Sequence, residues 1–500
     1  MNHPAPFPVR ERITSFIDGQ WLAPGGKALS IVDPASERQV ATLYGADEAQ
    51  TSAAVEAAHR SFAKRTWVDM GTASKQAVFR RIVDLTRSRL DELAWLECLN
   101  TGIPYHYMRE RQLPRILRNF SFFADSMSQG VEKAATQDGE YLRFVVREPV
   151  GVAALISPWN APLALASTKI AAALAFGNSC VVKCAEQTPL AVARFMDILA
   201  EAGVPPGVVN LVNGLGEVTG RALVRHPLVK AISFTGGTQT GRSIAADAAP
   251  LLKRVDLELG GKSANIVAAS APFEDALDGA LTSIFTNNGQ QCFAGSRILV
   301  HRSIAGRFIE SFVARARRIR VGHPHDAATE VGPLANAAHY GRVLSYVTLA
   351  RREGSQLLTG GERPTDHPVG YYLQPTALLA RSNRDRVCQE EIFGPVVAFE
   401  VFDDFDEAIA IANDSSFGLV SYLWSNDLSE CLRAVTKIEA GTVLVNTPMS
   451  LDLRLPFAGY KESGLGQEGM EGFRRLYTQE KTAAVALRRP AMARLGAGPA

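Results

Sequence analysis

The chain has 500 residues, 46% hydrophobic and 21% charged, a balance that suits a soluble globular protein and excludes a disordered one. That length exceeds a single core, so two or three domains are expected. A formal net charge of +2 leaves no basic excess for a phosphate backbone, so nucleic acid is not an expected partner. The amino terminus, Met1 to Pro8, has no apolar run of the kind a secretory signal needs. Residues 14–23 read as a short hairpin with Asp18-Gly19 as the turn. Helical periodicity then runs from about Asp47 to Asp125, interrupted at Thr101-Gly102-Ile103-Pro104. Residues 141–147 alternate like a strand. Short apolar runs follow at 152–156, 179–183, 208–212 and 231–234, separated by helical segments, and predict a parallel, doubly wound sheet. The most apolar stretch, 150–175, is broken by Pro158, Asn160, Pro162 and Lys169, so no membrane span is expected. A second set of runs, at 263–267, 297–301, 355–359, 376–379 and 396–402, predicts a second open sheet. Residues 482–487 read as a last strand, which needs either the 141–147 segment or another subunit beside it. The six cysteines include no CxxC pair, which fits a reducing, cytoplasmic setting. His323 and His325 flank a proline without further ligands at zinc spacing, so no metal is expected.

Three segments carry chemistry. In Asn288-Gly289-Gln290-Gln291-Cys292-Phe293-Ala294-Gly295-Ser296-Arg297 a cysteine sits among glycines and amides, where backbone N–H groups can favour a thiolate nucleophile. A lone cysteine of this kind is more often a small packing residue. Upstream, Leu257-Glu258-Leu259-Gly260-Gly261-Lys262-Ser263 holds a carboxylate in an apolar setting, where desolvation raises its pKa. With Pro158-Trp159-Asn160, these segments resemble the signatures of the NAD(P)-dependent aldehyde dehydrogenase superfamily.

The resemblance implies an α/β fold with two open doubly wound parallel-sheet domains and a small β oligomerisation arm. It divides the chain into a cofactor domain (1–125 and 148–257), a catalytic domain (258–445), bridging segments (126–147 and 446–490) and a disordered tail (491–500). It implies Cys292 as nucleophile, Glu258 as the base that activates the deacylating water, and Asn160 with the Cys292 backbone N–H as oxyanion donors. Glu468 falls at a family carboxylate that can relay protons, although the preceding residue, usually arginine, is Gln467 here. Glu391 and Phe393, in Gln389-Glu390-Glu391-Ile392-Phe393-Gly394-Pro395, match the nicotinamide-ribose position. Asn446 matches an asparagine near the catalytic pocket.

Loops after the strands of the first sheet are where open α/β sheets bind ligands. Lys183 and Glu186 stand beyond one strand end, where both can hydrogen-bond a ribose, and Glu186 would repel a 2′-phosphate, favouring NAD over NADP. Gly216 lies in a second loop. The third, Phe234-Thr235-Gly236-Gly237-Thr238-Gln239-Thr240-Gly241, leads into a helix and resembles the family's phosphate loop, with Gly237 where that pattern has serine. Ile156, Trp159, Thr240, Leu259 and Gly260 complete the expected cofactor contacts.

For the substrate, an aldehyde, the small residues Ala161 and Thr168 after Asn160 predict a wide tunnel, with Phe293 and Phe457 beside it. Asp452-Leu453-Arg454-Leu455-Pro456-Phe457 resembles a motif of muconate-type semialdehyde dehydrogenases, so Arg454 and Arg115 are expected to bind a carboxylate. Family members are mostly homodimers or homotetramers, and the unpaired terminal strand agrees. A CoA-acylating relative is the alternative, which the presence of Glu258 opposes. A cysteine hydrolase lacks its paired histidine, and a catalytically idle protein would not need the three residues together.

Overall fold

A computed structural model describes residues 6–136, 139–490, 492–493 and 495–496. Of the tail expected to be disordered, residues 491, 494 and 497–500 lie outside the described residues. The hairpin forms as Phe16–Ile17 against Gln20–Trp21. Its turn residues Asp18 and Gly19 both have positive φ, 53° and 82°, the pair of values a two-residue turn needs to match strand twist.

The first sheet holds the expected parallel strands. Arg254–Glu258, Val229–Thr235, Val152–Ile156, Ser179–Lys183 and Val209–Leu211 lie side by side in that order. The order reverses at Val152–Ile156, so the crevice beyond that strand's carboxyl end is the topological switch point. The hairpin closes one edge, and the short strand Gly464–Leu465 closes the other by pairing with Leu257 and Glu258. All five residues of Val152–Ile156 and of Ser179–Lys183 are buried, which is why they read as continuous apolar runs.

After Glu258 the chain crosses to a second sheet, ordered Gln356–Thr359, Thr376–Leu379, Val396–Phe402, Arg297–His301, Ala264–Val267, Val420–Trp424 and Thr442–Val445. All its pairings are parallel except that of the edge strand Gln356–Thr359. Arg254–Glu258, Val420–Trp424 and Thr442–Val445 did not stand out in the periodicity. The first carries charges on alternate residues, and the other two are brief runs inside mixed segments.

The last strand spans Thr478–Ala486, starting four residues before the expected 482, and pairs antiparallel with Tyr141–Pro149 along its whole length. Of the two alternative neighbours expected for the terminal strand, it is the 141–147 segment of the same chain that pairs with it. No helix among the described residues is long and apolar enough to cross a membrane.

Candidate active site

The site forms where the carboxyl edge of the first sheet meets the loop leading into Arg297–His301. Helix Phe273–Phe285 ends in a tight turn in which Asn287 and Asn288 both take left-handed φ, 56° and 57°. Asparagine tolerates this conformation better than most residues. The turn throws Cys292 back toward Glu258. Two glycines make the approach possible. A Cβ on Gly261 would sit 2.3 Å from the Cys292 carbonyl oxygen, and one on Gly260 would sit 2.5 Å from Glu391 Oε2. The segment after Glu258 thus threads between Glu391 and the cysteine loop, with the Gly261 N–H donating to Glu391 Oε1 at 3.0 Å.

Asn160 is buried, and its Nδ2 donates to the Gln290 carbonyl at 2.8 Å, which fixes the amide beside the cysteine loop. An amide nitrogen has a second hydrogen to offer an oxyanion. Asn287 Nδ2 donates to the carbonyls of Asn160 and Gln290, at 3.1 and 3.0 Å, and Gln112 Nε2 donates to Asn287 Oδ1 at 2.9 Å. This chain of amides ties the Asn160 turn to the Cys292 loop. Burial pushes the Cys292 thiol up to about 12, and the Glu391 and Glu258 carboxylates push the same way. The backbone N–H groups of Cys292 and Phe293 pull against them. A thiol so placed needs a base to ionise.

Glu258 is 4% exposed, and neither carboxylate oxygen has a hydrogen-bond partner among the described residues. Burial raises its pKa well above the usual range, with Glu468 and Asp256 adding to the rise and Lys169 opposing it. Lys169, fully buried on helix Pro162–Ala175, joins this group: its Nζ reaches Glu468 Oε1 at 2.7 Å and Ser233 Oγ at 2.9 Å. Sequence reasoning treated Lys169 only as an interruption of an apolar run. The available signal was that a lysine on an otherwise apolar buried helix demands a partner. Glu468 and Phe457 are held together by two reciprocal backbone hydrogen bonds, Phe457 N–H to Glu468 O at 3.0 Å and the reverse at 2.8 Å.

On the cofactor side, Leu257, Phe234, Ile156 and Lys183 stand in register across neighbouring strands. The switch-point crevice lies beyond this row. Lys183 Nζ lies 3.5 Å from Glu186 Oε2, so the pair faces one space beyond the strand. Helix Thr238–Ala248 starts at Gly237 with no side-chain cap, leaving its first-turn amides as donors, with Thr240 exposed beside them. Open space surrounds the Cβ positions of both Gly237 and Gly216, whereas a Cβ on Gly236 would strike the Phe234 ring at 2.4 Å. Leu259 packs within 2.5 Å of where a Gly241 side chain would begin, joining helix to strand. Trp159 stacks edge-on to Phe393 at 5.2 Å and lies 4.9 Å from His339, a residue the sequence did not single out. His339 hydrogen-bonds the carbonyl of Phe393, whose φ is 63°. The acid–lysine pair and the uncapped helix start supply donors and an acceptor at the end of the crevice where open α/β sheets bind ligands.

The expected substrate residues separate. Arg115, partly buried on helix Pro114–Ser126, lies within electrostatic reach of Cys292, Glu468 and Tyr107 and forms no ion pair among the described residues. Arg454 is 77% exposed and bonded to Asp452 through its Nε, so it is a surface ion pair and does not stand with Arg115. Thr168 does not line open space: its hydroxyl donates to the Ala164 carbonyl and accepts from Asn119 Nδ2 at 2.7 Å. Ala161 is 4% exposed and precedes the same helix. Phe293 and Phe457 pack with Cys292 against Leu419, Val420, Tyr422 and Leu444. Asn446 has φ 52° and spends its amide on the Ser425 backbone, so its side chain braces a strand end. Among the described residues no cluster of histidine, cysteine or carboxylate side chains suits a metal ion.

Residues 21–483 match the model of the aldehyde dehydrogenase family. The chain is 42% identical over 464 residues to 5-carboxymethyl-2-hydroxymuconate semialdehyde dehydrogenase of Escherichia coli, covering 92% of this chain and 98% of that one. It is 38% identical to betaine aldehyde dehydrogenase of Bacillus subtilis, over 94% of this chain and 98% of that one. The NAD+ complex of an aldehyde dehydrogenase from Bacillus cereus superposes with a TM-score of 0.93 at 37% identity, covering 96% of this chain and 97% of that chain. With a family match over most of its length and these relatives covered almost in full, the chain belongs to the aldehyde dehydrogenase family.

Proposed function

We propose that this enzyme oxidises a semialdehyde bearing a carboxylate to the corresponding dicarboxylate, with NAD+ and water, through a thioester on Cys292. NAD+, when bound, accepts the hydride. Lys183 and Glu186 would hold its adenosine ribose, the uncapped start of Thr238–Ala248 its phosphates, and Glu391 with Phe393 its second ribose. Glu186 is the reason for NAD over NADP, because a carboxylate repels a 2′-phosphate.

The Cys292 sulfur, its proton lost to solvent water, attacks the aldehyde carbon, giving a thiohemiacetal alkoxide. The Asn160 amide and the Cys292 backbone N–H receive that oxyanion, and one such donor contributes roughly 10²–10³ in rate. Loss of hydride leaves a thioester. Glu258, its proton released along Lys169 and Glu468, then takes a proton from water, whose oxygen attacks the thioester carbon. The C–S bond breaks, the thiol is reprotonated and the acid departs. Transfer of the acyl group to CoA gains no support, since the buried water-activating carboxylate is present and the relatives above are aldehyde dehydrogenases.

Arg115 carries the substrate reading. A guanidinium stays charged in almost any protein setting, and Arg115, which feels the Glu468 charge without forming an ion pair with it, can also meet a carboxylate on the ligand. The same charge disfavours a quaternary ammonium such as betaine aldehyde. The test is a substrate panel of a muconate-type semialdehyde, a medium-chain aliphatic aldehyde, an aromatic aldehyde and betaine aldehyde. The carboxylated compound should have the highest kcat/KM, and Arg115→Ala should remove that advantage. If neutral aldehydes outperform it and Arg115→Ala changes nothing, the reading is wrong.

A further inference from the structure

Asp256 stands two residues before Glu258 on strand Arg254–Glu258, so both side chains leave the same face of the sheet about 7 Å apart along the strand. It is 2% exposed, and neither of its oxygens has a hydrogen-bond partner among the described residues. An ordinary structural aspartate at this depth would be capped or paired. Its neighbours are all part of the base side of the site. In the sheet register it lies opposite Ser233, which Lys169 Nζ contacts at 2.9 Å. Its Oδ1 would be only 2.4 Å from a Cβ on Gly466, so it abuts the backbone of the segment that carries Glu468.

The charged and titratable groups around it come from every packed element. They are Glu258 on its own strand, Lys169 on Pro162–Ala175, Glu468 after the edge strand, and Tyr477 on helix Met470–Tyr477, with the Gln467 backbone N–H facing it. Cys292 and Arg115 lie one step further, beside Glu258 and Glu468 respectively. Three carboxylates therefore surround a single lysine in a buried space. Like charges in such a setting resist ionising together: after burial, the Glu468 charge raises the pKa of both Asp256 and Glu258, and Asp256 raises that of Glu258 further.

We propose that Asp256 is a positioning residue for deacylation: a third buried carboxylate that acts through Glu258 by making it a stronger base toward the attacking water. The inference rests on Glu258 being that base. Burial, and then the Glu468 charge, push Asp256 up to about 7, so its charge beside Glu258 changes within the working pH range. With Asp256 replaced by a neutral residue, Glu258 loses a like-charged neighbour and ionises at lower pH.

The test is the pH dependence of the steady-state rate after the NADH burst, compared among the native enzyme, Asp256→Asn and Asp256→Ser. Both variants should move the acid limb toward lower pH by on the order of one unit, with a lower plateau. Burst amplitude should be retained. Equal shifts in two variants of different shape identify charge as the cause, and a shift in only one, or a lower plateau with an unmoved limb, would overturn the proposal. Glu258→Gln separates the two readings. If it stalls after a burst while the Asp256 variants keep the native limb, the Asp256 proposal alone fails. If it turns over normally without a burst, the assignment of the base fails and this inference falls with it. Asp256→Asn added to Glu258→Gln should cause no further change, and an additional loss would show that Asp256 acts by another route.

Discussion

The two walls of the catalytic pocket are built on opposite plans. The nucleophile wall is made of neutral amides. Gln112, Asn287, Asn160 and the Gln290 carbonyl form one continuous set of hydrogen bonds at 2.8–3.1 Å, centred on Asn287, whose backbone is left-handed. The base wall is made of charge. Asp256 and Glu258 have no hydrogen-bonded oxygens among the described residues, and one lysine faces them and Glu468. A hydrogen-bonded set of amides carries no charge and is insensitive to pH, which suits an oxyanion site that must be preorganised. Burial and crowding raise the proton affinity of Asp256 and Glu258, which suits general-base work. Geometry belongs to one wall and proton affinity to the other.

Substitutions can break this contrast. Cys292→Ala should bring aldehyde oxidation to the detection limit while NAD+ binding, followed by fluorescence titration, is retained. Ala or Ser at buried Cys98, Cys180, Cys184 or Cys388, or at Cys431, should leave activity intact, because these are packing residues. Normal turnover by Cys292→Ala would move the nucleophile elsewhere.

Glu258→Gln should slow steady-state turnover by roughly 10²–10⁴ while preserving a burst of NADH in stopped flow. The sign of the pH effect follows from its raised pKa. The base is active only when ionised, so deacylation falls as pH drops through that raised value, and the variant should lack this limb. A native-like limb in Glu258→Gln would assign it to another group.

Asn160→Ala should lower kcat by about 10²–10³ with no displacement of the pH limb, because an amide does not titrate. A displaced limb would show that the two walls are coupled. Gln112→Ala should have the same character at smaller size, since Gln112 reaches Asn160 only through Asn287.

Arg115→Ala should raise KM for a carboxylated semialdehyde by about one to two powers of ten with kcat little changed, the pattern of binding energy shared by ground and transition states. Arg454→Ala should have a much smaller effect, because that side chain is exposed and already bonded to Asp452. Equal effects from both would restore a two-arginine clamp. The mildest change is Glu186→Ser, which should raise the relative use of NADP without altering either wall.

The sequence by itself determined the parts whose chemistry is local. Continuous apolar runs mark strands buried on both faces, so five of them, Val152–Ile156, Ser179–Lys183, Arg297–His301, Thr376–Leu379 and Val396–Phe402, were legible to the residue. The segments around Cys292, Glu258 and Asn160 were legible because their glycines and amides meet demands of backbone approach that few other residues satisfy. Only the tertiary structure decided the long-range pairings. Lys169 meets Glu468 across 299 residues, and Gln112 meets Asn287 across 175. Asp256 gains its setting from a C-terminal segment laid along the sheet edge. Arg115 and Arg454 look alike in sequence, yet one is drawn within electrostatic reach of Glu468 and Cys292 and the other left in solvent. Burial and the partners a chain brings from afar set the protonation and reach of a charged side chain, and neither is written in its immediate neighbours.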